Sequence, residues 1–321
     1  DCYSTAVGDA AMQANTTGGF NVAVGRLALG ANTTGGNNTA LGYTALATNI
    51  TGNYNTALGY RALTTTTAGN NTAVGHDALY LTTTGDANVA VGVGALDANT
   101  TGANNTGLGW GALGQNTTGA DNVAIGRDSV RSNTTASNNV GIGVNALYTN
   151  TTGTSNVAVG KSALQTNSTA SNNTAVGYSA LVANTTGGQN TAVGQGAGES
   201  NTTGVSISAF GRQALEANTT GDFNTAMGQR ALFKNTTADS NTAVGNHALL
   251  ENTTGALQTV VGAYAGDALN TGSENTAFGY DALGSDTKGN HSTALGRSAL
   301  ATQNFTGATD VYNVAVGYKA G

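Results

Sequence analysis

A tandem repeat runs through the whole chain and limits the folds that are open to it. Each copy contains an apolar residue followed by glycine, and sixteen of the eighteen spacings between these glycines are 17 residues. The nineteen glycines are Gly8, Gly25, Gly42, Gly59, Gly75, Gly92, Gly109, Gly126, Gly143, Gly160, Gly177, Gly194, Gly211, Gly228, Gly245, Gly262, Gly279, Gly296 and Gly317. A fixed short period is typical of a solenoid, in which each repeat buries its apolar surface only against its neighbours. We therefore expect a single solenoid over residues 1–321. Because the last copy stops part-way through its unit, we also expect a segment of a longer chain.

Residues 173–189, NTAVGYSALVANTTGGQ, represent the unit, and we number them as unit positions 1 to 17. Position 4 is Val, Leu, Ile, Phe or Met in all nineteen copies, position 5 is always Gly, and position 9 is mostly Leu. Position 3 is Ala in sixteen copies, and position 8 is Ala in every copy except the one with Ser129. We interpret the apolar column at position 4 as a core stripe.

Two short runs in the unit, positions 1–4 and 8–11, have the residues of β-strands, and turns separate them. A helix is disfavoured because each glycine in its interior costs about 1 kcal/mol. Copy 55–70 is one residue short and the segment after Gly296 is four residues longer, and both changes fall in the turn NTTGxx, where a solenoid absorbs them. The sequence predicts an all-β, parallel β-solenoid (a β-roll or β-helix) of about nineteen 17-residue coils.

The strand at positions 1–4 has no polar face. Side chains alternate along a strand, so positions 2 and 4 face one way while positions 3 and 5 face the other. If position 4 points inward, Ala and Gly form a flat outer strip; if it points outward, a stripe of Thr and Val is exposed. Since one face needs a partner in either case, we expect self-association as a homotrimer or a filament.

Composition excludes several classes of partner. Charged residues make up 9% of the chain and the net charge is −6, so no basic patch favours nucleic acid or an acidic membrane surface. No run of about 18 apolar residues is present, so we expect no membrane insertion in this segment. Cys2 is the only cysteine, which rules out an internal disulfide.

The residues that usually carry catalysis or bind metal form no recurring site. The three histidines, His76, His247 and His291, stand at scattered unit positions without a carboxylate pair beside them. Aspartates occur in the long turn of only a few copies, so no calcium-binding ladder of carboxylates forms. We therefore predict a protein that is not an enzyme, with no catalytic, cofactor-binding or metal site and no cofactor.

Position 12 is the most suggestive polar column, because it holds Asn followed two residues later by Ser or Thr. These asparagines are Asn15, Asn32, Asn49, Asn99, Asn116, Asn133, Asn150, Asn167, Asn184, Asn201, Asn218, Asn235 and Asn252. Each is formally an N-glycosylation acceptor, which would make the chain a glycan-coated, self-assembling filament subunit. We favour a structural role, in which Asn opens the turn and stacks in an amide ladder. Coils about 4.8 Å apart leave little room for a glycan on each one.

Threonine columns at positions 2, 13 and 14 raise the alternative of an ice-binding β-solenoid. In the reference copy the last two are Thr185 and Thr186, which are adjacent. An extended chain could not point both hydroxyls at one plane, so this alternative is less favoured.

The motif N-[TV]-A-[VLI]-G-x-x-A resembles the head repeats of YadA-type trimeric autotransporter adhesins, which also occur in bacteriophage tail fibres. Good instances are NVAVGRLA at 21–28, NVAIGRDS at 122–129 and NTAVGYSA at 173–180. The resemblance implies a left-handed parallel β-roll whose three chains pack side by side. The family's unit is usually shorter, and the difference lies in the turn NTTGxx.

These observations together predict a non-enzymatic, extracellular structural or adhesive fibre, or an adhesin head, on a cell or virion surface. Its partners would be copies of itself and a host-surface, matrix or glycan receptor. Receptor specificity would lie on variable positions, such as position 6 with Tyr43, Tyr60, Tyr178 and Tyr280. The alternative for these tyrosines is that they are solvated turn residues.

Overall fold

The computed structural model describes residues 3–305, 307 and 309–321, so Cys2 lies outside the described residues. It confirms an all-β parallel β-solenoid with about 17 residues per coil, and no described residue is helical. The chain divides into two compact units, residues 1–156 and 157–321, which are described separately. That they form a single domain stays a prediction.

Each coil contributes one three-residue strand at unit positions 2–4. The strands of the first unit are β1 (Thr5–Val7), β2 (Val22–Val24), β3 (Thr39–Leu41), β4 (Thr56–Leu58), β5 (Thr72–Val74), β6 (Val89–Val91), β7 (Thr106–Leu108), β8 (Val123–Ile125) and β9 (Val140–Ile142). Those of the second unit are β10 (Val157–Val159), β11 (Thr174–Val176), β12 (Thr191–Val193), β13 (Ser208–Phe210), β14 (Thr225–Met227), β15 (Thr242–Val244), β16 (Thr259–Val261), β17 (Thr276–Phe278), β18 (Gly289–Asn290), β19 (Thr293–Leu295), β20 (Thr309–Asp310) and β21 (Val314–Val316).

Within each unit the strands pair in parallel, and equivalent unit positions stack on one another. Ala40 of β3 pairs with Ala57 of β4, for example. The register survives both length changes, because β4 still pairs with β5 and β19 with β21 at equivalent positions. Part of the longer segment forms the short pairing of β18 with β20. Turns therefore absorb the length changes, as the sequence indicated.

The prediction of a second strand at positions 8–11 is wrong, because this segment is a turn. Positions 7 and 9 adopt positive φ, as in Ser179 (55°) and Leu181 (50°). A left-handed residue breaks the side-chain alternation of a strand. Consecutive residues Ala180 and Leu181 consequently both point inward and are fully buried. The left-handed region is unfavourable for leucine, and the bond from Leu181 N–H to Ala197 C=O (3.0 Å) ties it to the next coil.

The interpretation of position 4 as a core stripe is also wrong. Position 3 points inward, and Ala40 and Ala57 are fully buried, whereas Leu41 and Leu58 at position 4 are 43% and 41% exposed. The interior is narrow at position 3, and the one larger residue there, Val260, stands in the coil where Gly266 replaces the usual Leu. At Gly141, an added Cβ would lie 2.5 Å from the side chain of Val130.

Glycine at position 5 permits the close approach of successive coils. Gly177 has a φ of +137°, and an added Cβ would lie 2.5 Å from the carbonyl oxygen of Gly194 in the next coil. Any side chain there would collide with backbone, which accounts for the unbroken glycine column.

The core consists of Ala at positions 3 and 8, Leu at position 9 and Asn at positions 1 and 12. In two coils Gly replaces the Leu of position 9, and an apolar side chain from another position compensates for it. Gly198 replaces the usual Leu, and buried Ile207 at position 1 of the next coil lies against the space. Gly266 likewise replaces Leu, and Leu269 fills the space from position 12 of the same coil.

Candidate functional surface

The outward side chains at unit positions 2 and 4 form a surface that we call the strand face. Position 2 holds Thr, Val or Ser and position 4 holds Val, Leu, Ile, Phe or Met. In the first unit the strand face consists of the first and last residues of β1 to β9, and in the second unit of the same residues of β10 to β17, β19 and β21. These side chains range from half-buried to exposed.

Parallel register makes the strand face regular. Because each strand stacks on the next at equivalent positions, position 4 forms an apolar column beside a column of hydroxyl and Val side chains. A three-residue strand is about 10 Å long and neighbouring strands lie about 4.8 Å apart. The nine strands of the first unit therefore present a strip of about 380 Å², and the ten of the second about 430 Å².

No charged residue occurs at positions 2 and 4 in any copy. Removing such a surface from water requires no desolvation of a charge, which is the step that makes burial expensive. The largest exposed apolar patch of a typical monomer covers about 300–600 Å² and is often functional. A partner can therefore cover the strand face without burying a charge, provided that the hydroxyls of position 2 find hydrogen-bond partners.

Behind the strand face, the asparagines at position 12 form an amide ladder. Asn116 Nδ2 donates to Asn99 Oδ1 (2.9 Å) in the preceding coil and to the C=O of Gly119 (2.9 Å) in its own coil. Asn133 Nδ2 donates in turn to Asn116 Oδ1 (2.7 Å). The same bonds run from Asn167 to Asn252 in the second unit, and the ladder ends where Leu269 occupies position 12.

A second column of buried asparagines lies at position 1. Asn105 Nδ2 donates to the C=O of Gly119 (2.8 Å), the carbonyl that also accepts from Asn116. Asn105 Oδ1 accepts from the backbone N–H of Asn122 in the next coil (3.0 Å). Two buried side-chain amides thus donate to the same carbonyl at position 15. Hydrogen bonds, rather than an apolar side chain, therefore hold this part of the coil together.

The structure places twelve of the thirteen predicted acceptor asparagines with no exposed surface; Asn15, in the first coil, is half-buried. Thr66 and Thr82 occupy position 12 in two coils of the first unit and interrupt the ladder between Asn49 and Asn99. The Nδ2 atom that would carry a glycan is the one that donates in the ladder. Glycosylation of a folded coil would require that amide to leave the core, and the glycan-coated alternative stays a prediction.

Six further acceptor sequences lie outside position 12 and were not predicted, and two of them begin at Asn290 and Asn304. The other four, of the type Asn-Asn-Thr, begin at position 17 with Asn37, Asn70, Asn104 and Asn172. All four are exposed. Scanning every Asn-x-Thr, rather than the most regular column, would have found them.

The threonine columns differ in their surroundings. Thr185 at position 13 is half-buried, and its hydroxyl donates to the C=O of Thr202 (3.0 Å) in the next coil, whereas Thr186 is exposed. Position 13 therefore uses its hydroxyl to link coils. Position 2 lies on the strand face, beside the apolar column.

The turn at positions 6–11 forms a second surface, which we call the turn side. The tyrosines at position 6 lie on this turn side and are exposed. Tyr43 stacks on Tyr60 with ring centroids 5.3 Å apart, and Tyr60 stacks on His76 at 4.9 Å. Tyr178 instead has Lys161 over its ring, and Tyr280 has Arg297. The tyrosines of the two units therefore differ in their neighbours.

Several titratable groups on the turn side are paired or half-buried. Arg61 donates to both carboxyl oxygens of Asp77 (2.7 and 2.8 Å) and lowers the pKa of that carboxyl. Burial raises the pKa of Asp97 and of Asp267, which both stand at position 10. Among the described residues, no group of three His, Cys, Asp or Glu side chains could hold a metal ion.

The part of the chain that the structure describes contains no helix long and apolar enough to cross a membrane. Comparison with protein-family models and with curated proteins gave no match for this chain.

Proposed function

We propose that this chain is a non-enzymatic, extracellular structural or adhesive fibre element that assembles with copies of itself through the strand face. The single observation that carries the proposal is the uncharged strand face with its apolar column at position 4, which is present in both units. Its regularity suits a partner with the same period, and another copy of this chain has that period.

The size of the strand face supports an assembly that uses both units. A stable interface buries about 800 Å² on each partner, and each unit presents about half of that area. One unit alone would give a weak contact. Burial returns about 25 cal/mol per Å² of apolar surface, so the larger Leu, Ile, Phe and Met residues of position 4 would contribute most.

Three copies and an extracellular setting are supported by the resemblance to YadA-type head repeats. Side chains vary freely at the turn positions while the interior columns stay regular, which agrees with a fibre. The variable turn side, with its exposed tyrosines, would then be available to a receptor while the strand face is covered.

A matched pair of substitutions tests the proposal. Leu58→Lys places a charge on the strand face, whereas Leu81→Lys places the same charge at position 11, and the two leucines are 41% and 43% exposed. We expect Leu58→Lys to shift the assembly toward the 31.6 kDa monomer in sedimentation experiments, and Leu81→Lys to leave it intact. Equal effects, or no effect of either, would refute a role for the strand face.

One observation favours ice binding as a second candidate. In the second unit, position 2 carries a hydroxyl in eight consecutive coils, from Thr174 to Thr293. Against it, Phe210, Met227 and Phe278 interrupt the adjoining column with large side chains, and an ice-binding face has to be flat. Thermal hysteresis of the purified protein separates the two candidates.

A further inference from the structure

The turn side of the first unit contains a cavity of about 480 Å³ that we call the glycine notch. Gly94 and Gly111 occupy position 7 of two successive coils, and Gly114 occupies position 10 of the second. Most other coils hold a larger side chain at these positions. The missing side chains open the notch, whose volume lies within the range of about 300–1,000 Å³ typical of small-molecule sites.

An aromatic ring forms one wall of the glycine notch. Trp110, the only tryptophan of the chain, is 50% exposed and lies beside exposed Val93. The guanidinium of Arg131 lies 5.1 Å from the Trp110 ring centroid and donates to Asp128. The Arg131 guanidinium thus lies against the indole, whose exposed part offers apolar surface to a ligand.

Polar groups with mixed hydrogen-bonding character complete the lining. The carboxylate of Asp97 is half-buried in the notch, where burial raises its pKa. Asp77 is already held by both of its bonds to Arg61. Gln115 both donates and accepts, and the Arg131 guanidinium only donates. A ligand that fits must therefore donate and accept at several points and also present an apolar surface.

A neutral saccharide has this chemistry, since its hydroxyls donate and accept while its C–H groups pack on an aromatic ring. An anionic ligand would meet the carboxylate of Asp97. A cationic ligand would meet Arg131, whose guanidinium already lies against Trp110. We propose that the glycine notch binds a neutral mono- or disaccharide, with Trp110 contacting the ring and Asp97 accepting from its hydroxyls. This site lies apart from the strand face and does not rest on the proposed self-association.

Fluorescence of Trp110 tests the proposal directly, because no other tryptophan contributes to the emission. The full chain is titrated with methyl glycosides of neutral hexoses and N-acetylhexosamines, with their disaccharides, and with choline chloride. We expect at least one neutral saccharide to change the emission saturably, with a Kd on the order of 1 mM that does not depend on salt. No change with any saccharide at tens of millimolar, or tighter binding of choline, would overturn the proposal.

Two variants and a matched control locate the site. Gly94→Gln fills the notch, and the fold accommodates glutamine in this left-handed conformation, because Gln213 adopts it at position 7 of another coil. It should abolish binding, whereas Gly196→Gln, at a position 7 glycine outside the notch, should leave it unchanged. Asp97→Asn should weaken binding about 10-fold, because an amide replaces a charge-assisted acceptor. Binding that survives Gly94→Gln would place the ligand elsewhere and contradict the assignment.

Discussion

Replacing Asn116 with Ala should destabilise the first unit substantially, although no residue of the strand face changes. Asn116 has no exposed surface and takes part in three side-chain hydrogen bonds, two donated by Nδ2 and one accepted by Oδ1. Each buried bond contributes about 1 kcal/mol net, so their loss lowers the free energy of unfolding by about 3 kcal/mol. The substitution removes the donor to Asn99 Oδ1, whereas the C=O of Gly119 still accepts a hydrogen bond from Asn105.

The measurement is urea unfolding followed by far-ultraviolet circular dichroism, with protein made in a host that cannot N-glycosylate. With an m-value of about 3 kcal/mol/M, a loss of about 3 kcal/mol lowers the midpoint by about 1 M. Asn104→Ala is the control, because Asn104 is exposed and Ala87 adopts the same positive φ at the same unit position. We expect it to cost less than about 1 kcal/mol. Equal midpoints for the two variants would refute a structural role for the ladder.

Three further predictions follow from other parts of the structure. Gly266→Leu should lower the free energy of unfolding, because the added Cβ would lie 3.0 Å from Leu269 Cδ1. Adding Leu269→Asn should restore stability, and additive losses in this double-mutant cycle would contradict the compensation. Asp267→Asn should raise the urea midpoint at pH 7 but not at pH 3. Burial, and then the charge of Asp281, raise the pKa of Asp267 in the folded protein. The folded protein is therefore stabilised by the protonated carboxyl at pH values below the usual pKa of 3.8, and this stability is lost as the pH rises through the raised pKa. An equal gain at pH 3 would contradict this. Finally, the purified protein should show no thermal hysteresis at micromolar concentration, and shaping of ice crystals would favour the ice-binding candidate.

The strand positions and their register were predictable because they follow from the period alone. A column of glycine every 17 residues can stack only on itself, and Ala40 indeed pairs with Ala57. The amide ladder was predictable for the same reason, since stacked coils bring equivalent asparagines together. In a tandem repeat, each residue therefore contacts the residue at the same unit position of the neighbouring coil.

The direction of the side chains was harder to predict. Alternation along a strand assigns positions 3 and 4 to opposite faces but does not say which face is inside. The interior width decides it, and that width is set by the turn at positions 7–9, where Leu181 adopts a left-handed conformation that is rare for leucine. No local propensity predicts such a residue, because contacts with the neighbouring coils stabilise it.

The glycine notch could have been recognised in part. Gly94, Gly111 and Gly114 replace side chains at positions that are usually filled, and Trp110 is unique in the chain. The sequence alone does not predict that Asp97 is half-buried, because its burial depends on how neighbouring coils stack around it.

The mass of the assembly in solution is the most direct test of self-association through the strand face. Sedimentation equilibrium of the unmodified chain at micromolar concentration should give a multiple of 31.6 kDa, with three copies expected from the resemblance to YadA-type repeats. Contradiction would come from a stable 31.6 kDa monomer under the same conditions, because the strand face would then remain in water without a partner.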